Sequence, residues 1–226
     1  MPSANVIQLR QMLSEKFPGL RLNRHDPAEQ RQLWETGLRQ IDLALSGGLP
    51  KKALTEIVSN GKSSGGATVL RALISRAAAD RQIVTLIDGQ DALDVTQIEE
   101  AALSRLLWVR CRAIGEAVKA LDLVLRDPNL RLVLVDLQMA PLIQLRRIPS
   151  TTWYRFQRLV EESEAMAVVF TPAPMISPAQ VRIAVKTKFS LASLELETDE
   201  CAKGLTLEVA DLRRKTAQEI ARLNVA

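Results

Sequence analysis

The chain has 226 residues, 47% of them hydrophobic, and its 30 Lys and Arg against 26 Asp and Glu give a formal net charge of +4. That length and apolar content suit one domain with appendages, with two small domains as the other option, and they exclude a chain dominated by disorder. No continuous apolar run is long enough to span a bilayer, and "MPSANVIQLRQMLSEKF" mixes charge into its apolar positions, so neither a membrane span nor a signal peptide is predicted and a cytoplasmic location is expected.

The charge excess is compatible with nucleic acid but is spread along the chain, as on any soluble surface. Cys111 and Cys201 lack C-x-x-C spacing and nearby histidines, so they read as ordinary reduced thiols rather than a disulfide scaffold or zinc site. His25, the only histidine, has no partner of triad type in sight, which argues against nucleophilic catalysis.

Taken from the N-terminus, Val6, Leu9, Met12, Leu13 and Phe17 recur at three-to-four spacing and predict a short amphipathic helix over 5–17, ended by Pro18 and Gly19. A polar, irregular stretch follows over 18–35. The expected organisation is an arm (1–34), a core domain (35–210) and a C-terminal helix (211–226). In the core, strands are predicted at 53–59, 83–88, 106–111, 131–136 and 165–170, alternating with helices at 68–80, 94–106, 114–127 and 150–164. Strands apolar on both faces and separated by helical patterns predict an α/β fold with a mostly parallel sheet covered on both sides. After Pro172, Pro174 and Pro178 the pattern becomes alternating, and "VRIAVKTKFSLASLELE" with "GLTLEVADL" predicts two or three antiparallel edge strands. A polar helix, "DLRRKTAQEIARL", closes the chain.

The stretch "SNGKSSGGATVL" (59–70), between a predicted strand and a predicted helix, has the cadence of a phosphate-binding loop. Such a loop reads G-x-x-x-x-G-K-[ST], with backbone amides around the phosphates, a lysine on the β/γ-phosphates and a hydroxyl on magnesium. Here Asn60 stands at the first glycine, Gly61, Lys62, Ser63 and Ser64 follow, and Gly65 is succeeded by Gly66 and Ala67 where lysine and Ser/Thr belong.

Together with "TGLRQIDLALSGGLPKKALTEI" before this loop, "VTLIDGQDALD" and "LRLVLVDLQMAPL", the chain resembles the RecA-like core of recombinases over roughly residues 35–195. The resemblance implies that Gly66 and Ala67 stand where that family binds phosphate and magnesium, and that Gln90 stands where it has its catalytic glutamate. Asp136 matches the Walker-B aspartate and Asp94 an acidic residue near the nucleoside, while Thr171 and Pro172 replace the Asn-Gln sensor of the γ-phosphate. An amide does not take up a proton from water as a carboxylate does. The expectation is no ATPase activity and no bound cofactor, with Asp136 capping a turn rather than holding metal and the glycine loop retained as architecture. Among degenerate relatives, the layout looks most like the ImuA family, accessory proteins of damage-induced translesion synthesis. That likeness implies three partners: an inactive Y-family polymerase homologue, an alternative replicative-type polymerase, and RecA. The alternative is the SulA-like family of cell-division inhibitors, which bind the tubulin-like division GTPase.

Two further surfaces suggest contacts. "PLIQLRRIPSTTWYRFQR" (141–158) gathers Arg146, Arg147, Arg155 and Arg158 with Trp153, Tyr154 and Phe156, a mixture suited to single-stranded DNA. The bland reading puts Trp153 and Phe156 in the core and leaves the arginines solvated. For protein partners, the candidates are Leu9, Leu13 and Phe17 in the first helix, and Leu212, Arg213, Arg214, Ile220 and Leu223 in the last. The first helix leaves self-association, or addition to a RecA filament, open.

Overall fold

The computed structural model describes residues 32–60, 64–189 and 198–211. The candidate residues Leu9, Leu13, Phe17, Gly61, Lys62, Ser63, Leu212, Arg213, Arg214, Ile220 and Leu223 therefore lie outside the described residues, as do Met12 and His25. The chain divides into two units, Met1–Arg31 and Gln32–Ala226.

An entry segment begins the described body. Strand β1 (Leu33–Trp34) pairs antiparallel with β2 (Leu49–Pro50) around helix α1 (Arg39–Ala44). Asp42 pins the turn into α1, accepting from Thr36 N at 2.9 Å, Thr36 Oγ1 at 2.8 Å and Gly37 N at 3.0 Å. A Cβ at Gly48 would overlap the Trp34 carbonyl, so close approach of the two short strands requires glycine there. Trp34, in the stretch read from sequence as linker, is buried in the body and donates Nε1–H to Asp80.

The main sheet has seven strands. In chain order the elements are β3 (Leu54–Ser59), α2 (Gly66–Ala79), β4 (Val84–Asp88), a 3-10 turn (Val95–Gln97), α3 (Glu100–Leu103), β5 (Leu106–Arg110), α4 (Ile114–Val124) and β6 (Leu132–Asp136). There follow α5 (Leu142–Leu145), α6 (Ser150–Ser163), β7 (Met166–Thr171), β8 (Val181–Val185), α7 (Thr198–Lys203) and β9 (Leu207–Asp211). Strand order across the sheet is β5-β4-β6-β7-β3-β8-β9, parallel throughout except for the antiparallel pair β8–β9.

Helices cover both faces. On one, Ile41, Leu73 and Ile74 meet Ile57, Leu86, Leu134 and Phe170. On the other, Leu121, Trp153, Phe156 and Val160 meet Leu54, Ile87, Val135 and Val169. Two-sided burial is why the strands read as unbroken apolar runs, and each large side chain so buried contributes about 1.5–3 kcal/mol. Trp153 and Phe156 stack edge-to-face at 5.9 Å, so they are core residues and do not face a ligand.

One carboxylate interrupts the buried strands. Glu56 of β3, fully buried, accepts from Thr171 Oγ1 (3.1 Å), Met175 N (2.7 Å) and Ile176 N (3.1 Å), and pairs with Arg182 Nε at 2.6 Å. Glu56 and Arg182 are also register partners of β3 and β8. The pair clamps the connection between β7 and β8 to the sheet.

Some expectations need correction. The helix expected over 94–106 is a 3-10 turn followed by the short α3, because Asp94 takes the Thr96 N–H and hydroxyl and Ile98 returns to an extended backbone. The antiparallel edge strands expected near the C-terminus are present as the pair β8–β9, and β8 itself runs parallel to β3 because the connection from β7 crosses over β3. The short helices α1, α5 and α7 left no clear periodic signal. Among the described residues, no helix is long and apolar enough to cross a membrane.

Candidate functional site

In open α/β sheets, ligands sit beyond the carboxyl ends of the strands where strand order reverses. Here that place is bordered by the ends of β3, β4 and β6. Gly65, at φ +85°, makes the left-handed turn that starts α2, a backbone conformation that glycine adopts without penalty. Ala67 is exposed at the first turn of α2, at the position that matches the magnesium-binding hydroxyl of a phosphate loop, while Thr68 is buried.

Across from this turn, Asp88 and Asp136 end neighbouring strands as register partners. Asp88 is buried and spent on the following turn, accepting from Ala92 N at 3.0 Å, Leu93 N at 2.9 Å, Gln90 N at 3.3 Å and Trp108 Nε1 at 3.3 Å. Arg110 lies over the Trp108 ring and grips Asp91 with two hydrogen bonds, which hold the Asp91 carboxyl below its ordinary range. Burial pushes the Asp136 carboxyl up, the Asp88 charge adds slightly, and hydrogen bonds from Gln138 oppose both. The Gln90 side chain turns back to donate to the carbonyl of Gly89 at 2.6 Å.

Gln138 closes the crevice. Its N and Nε2 donate to Asp136 Oδ1 at 3.0 and 3.1 Å, and its Oε1 rests on Gly66 so closely that a Cβ at residue 66 would overlap it. That Cβ would also stand 2.7 Å from Ser59 Cβ, and Ser59 and Ser64 join hydroxyls at 2.5 Å. Lysine at residue 66 would thus meet two side chains already in place. The described residues do not fit a magnesium–nucleotide pair: Gly66 and Ala67 offer neither cation nor hydroxyl, Ser64 is paired with Ser59, Thr68 is buried, and Asp136 is engaged by an amide. At the sensor position, Thr171 donates its hydroxyl inward to Glu56. Asp94, expected beside a nucleoside, is exposed and caps its own turn. Among the described residues, no group of three or more His, Cys, Asp or Glu side chains could hold a metal ion.

The basic region divides. Arg155 is 3.2 Å from Asp122 and lies over Phe156, so its charge is partly spent. Arg146, Arg147 and Arg158 are exposed and form no ion pair with the described residues. Tyr154 and Arg158 share one face of α6 at i, i+4 spacing, and Met139 (57% exposed) and Ile143 (70%) lie beyond them in the segment after β6. The strip of chain from Met139 to Arg158 thus exposes three cations without an ion pair among the described residues, an aromatic ring and two apolar side chains.

Sequence reasoning passed over Asp88, Glu56 and Gln138. Two of these left a readable sign: "VTLID" and "LVLVD" both end in aspartate, and Glu56 is a charge inside an apolar strand. Gln138 left none, since its role depends on the approach of Gly66 in space.

Comparison with known proteins is consistent with this layout. The chain is 33% identical over 103 residues to the protein RecA of Nostoc sp. (strain PCC 7120 / SAG 25.82 / UTEX 2576), a match covering 45% of this chain and 29% of that protein. It matches the protein RecA of Trichormus variabilis (strain ATCC 29413 / PCC 7937) at 33% over 103 residues, covering 45% of this chain and 28% of that protein. The chain therefore spans less than a third of the length of the curated relatives it matches. No protein-family model matches it. This distant likeness, found in a chain with a seven-stranded, mostly parallel α/β sheet, supports a RecA-like superfamily for the protein.

Proposed function

We propose that this protein is a non-catalytic, RecA-like accessory of the DNA-damage (SOS) response, which supports error-prone translesion synthesis by binding polymerase-type partners, RecA and single-stranded DNA. The observation that carries the non-catalytic part is the packing of Gln138 on Gly66. Phosphoryl transfer is catalysed by positioned charge, and a site lacking the loop cation and the magnesium hydroxyl forgoes on the order of several kcal/mol of stabilisation. The DNA part rests on the exposed Arg146, Arg147 and Arg158, which form no ion pair among the described residues, and on the exposed Tyr154 one helical turn before Arg158. The partners, and the cytoplasm as the place where they are met, rest on the resemblance to the ImuA family.

The test is to tag the full chain in its own host, damage the DNA and identify what co-purifies. Polymerase subunits or RecA are the expected catch. Recovery of the tubulin-like division GTPase in their place would overturn the reading in favour of a SulA-like inhibitor.

A further inference from the structure

The geometry points to Gln138 as an internal tie between the start of α2 and the end of β6, which holds the exposed segment after β6 in place. In a nucleotide-binding loop of this kind, phosphate and metal stand between the loop and the Walker-B carboxylate. Here a neutral amide stands between the Walker-B-like carboxylate and the glycine that starts α2. Its Nε2–H is given to Asp136 at 3.1 Å, and its oxygen lies on Gly66, where a Cβ would overlap it. Asp136 in turn receives the backbone N–H of Gln138, so the chain leaves β6 in one fixed direction. The residues that follow are Met139, Ile143, Arg146 and Arg147, the beginning of the exposed strip. The tie therefore sets the direction of that segment from within the fold. It rests on the non-catalytic reading for its purpose, not for its geometry.

Hydrogen exchange on the full chain tests it without involving any partner. Gln138→Ala should speed amide exchange about tenfold both over 64–70 and over 137–147, although Gln138 is distant in sequence from the first stretch. Gln138→Met, which keeps the bulk but not the donor, should leave 64–70 nearer wild type and loosen 137–147. Faster exchange confined to the neighbours of residue 138 would overturn the tie. A coupling measurement adds an independent arm. Gly66→Ala should lower the melting temperature by about 5–10 °C, and by less when residue 138 is already alanine; the remainder belongs to Ser59. Equal losses in the two backgrounds would also overturn the proposal, and if Gly66→Ala fails to fold, the exchange arm decides. Mg-ATP at millimolar concentration should leave the wild-type melting temperature unchanged, and a rise would show the space to be open. Failure of the functional reading shows instead in the co-purification experiment, which the tie does not predict.

Discussion

The crevice at the ends of β3, β4 and β6 and the strip from Met139 to Arg158 are joined by a single residue, Gln138, yet they treat polar groups in opposite ways. In the crevice, charge is spent inward. Asp88 takes four donors, Asp136 takes two from one glutamine, and Ser59 meets Ser64. On the strip, the side chains of Arg146, Arg147 and Arg158 form no ion pair among the described residues, and apolar Met139 and Ile143 stand in solvent. A polar group satisfied by its own fold has little left for a ligand, whereas an unpaired cation beside an exposed ring has all its capacity in reserve. The difference teaches that the described polar groups around the start of α2 are engaged by the fold itself, whereas those one connection further along are not.

The sharpest way to break this contrast is at its most inward charge. Glu56→Ala should cost about 3 kcal/mol in urea denaturation, because the buried Ile176 amide and the Thr171 hydroxyl would lose their acceptor and the partly buried Arg182 would keep only the Ile176 carbonyl. A loss under about 1 kcal/mol would mean that water reaches the clamp. Next in size, Arg146→Ala with Arg147→Ala should weaken single-stranded DNA binding about tenfold at low salt and flatten its salt dependence, while stability stays within about 0.5 kcal/mol of wild type. Unchanged affinity would remove DNA from the strip. Arg155→Ala sharpens the same comparison, since a cation already held by Asp122 should affect DNA affinity less than either neighbour does.

The smallest expected effect concerns Asp136. Its folded pKa is raised by burial, so the native state holds the proton more tightly than the unfolded chain does. Its contribution to stability is therefore fullest below the ordinary carboxylate value of 3.8 and is lost as pH rises through the higher folded value. Asp136→Asn should thus be slightly more stable than wild type at pH 7 and indistinguishable from it at pH 3, as read by thermal melts. A loss of stability at pH 7 would show that the Gln138 hydrogen bonds need the full negative charge.

Much of the fold was legible because parallel strands covered on both faces must be apolar throughout, and "RLVLVD" or "AMAVVF" allows few other readings. Segment 94–106 misled because its apolar residues allow a helix, while Asp94 makes a local capping bond that periodicity does not register. At the site, the unusual Gly66 and Ala67 were visible as departures from a known spacing. What fills the place of the missing side chain was not visible, since Gln138 and Gly66 meet only once β6 and α2 are packed. The aromatic residues of α6 divided as helical periodicity dictates, with Trp153 and Phe156 inward and Tyr154 outward.

The contact at Gly66 also bears on how this sequence can change over generations. A single substitution to lysine there brings an immediate collision with Gln138 and Ser59, before any advantage in holding phosphate could be felt. Shortening Gln138 first surrenders a packed contact and a donor to Asp136 for no return. The glutamine end can swing aside, but Ser59 Cβ, next to the backbone and 2.7 Å from where a side chain would begin, cannot, so a return to lysine at this position calls for a change in β3 as well as in the segment after β6.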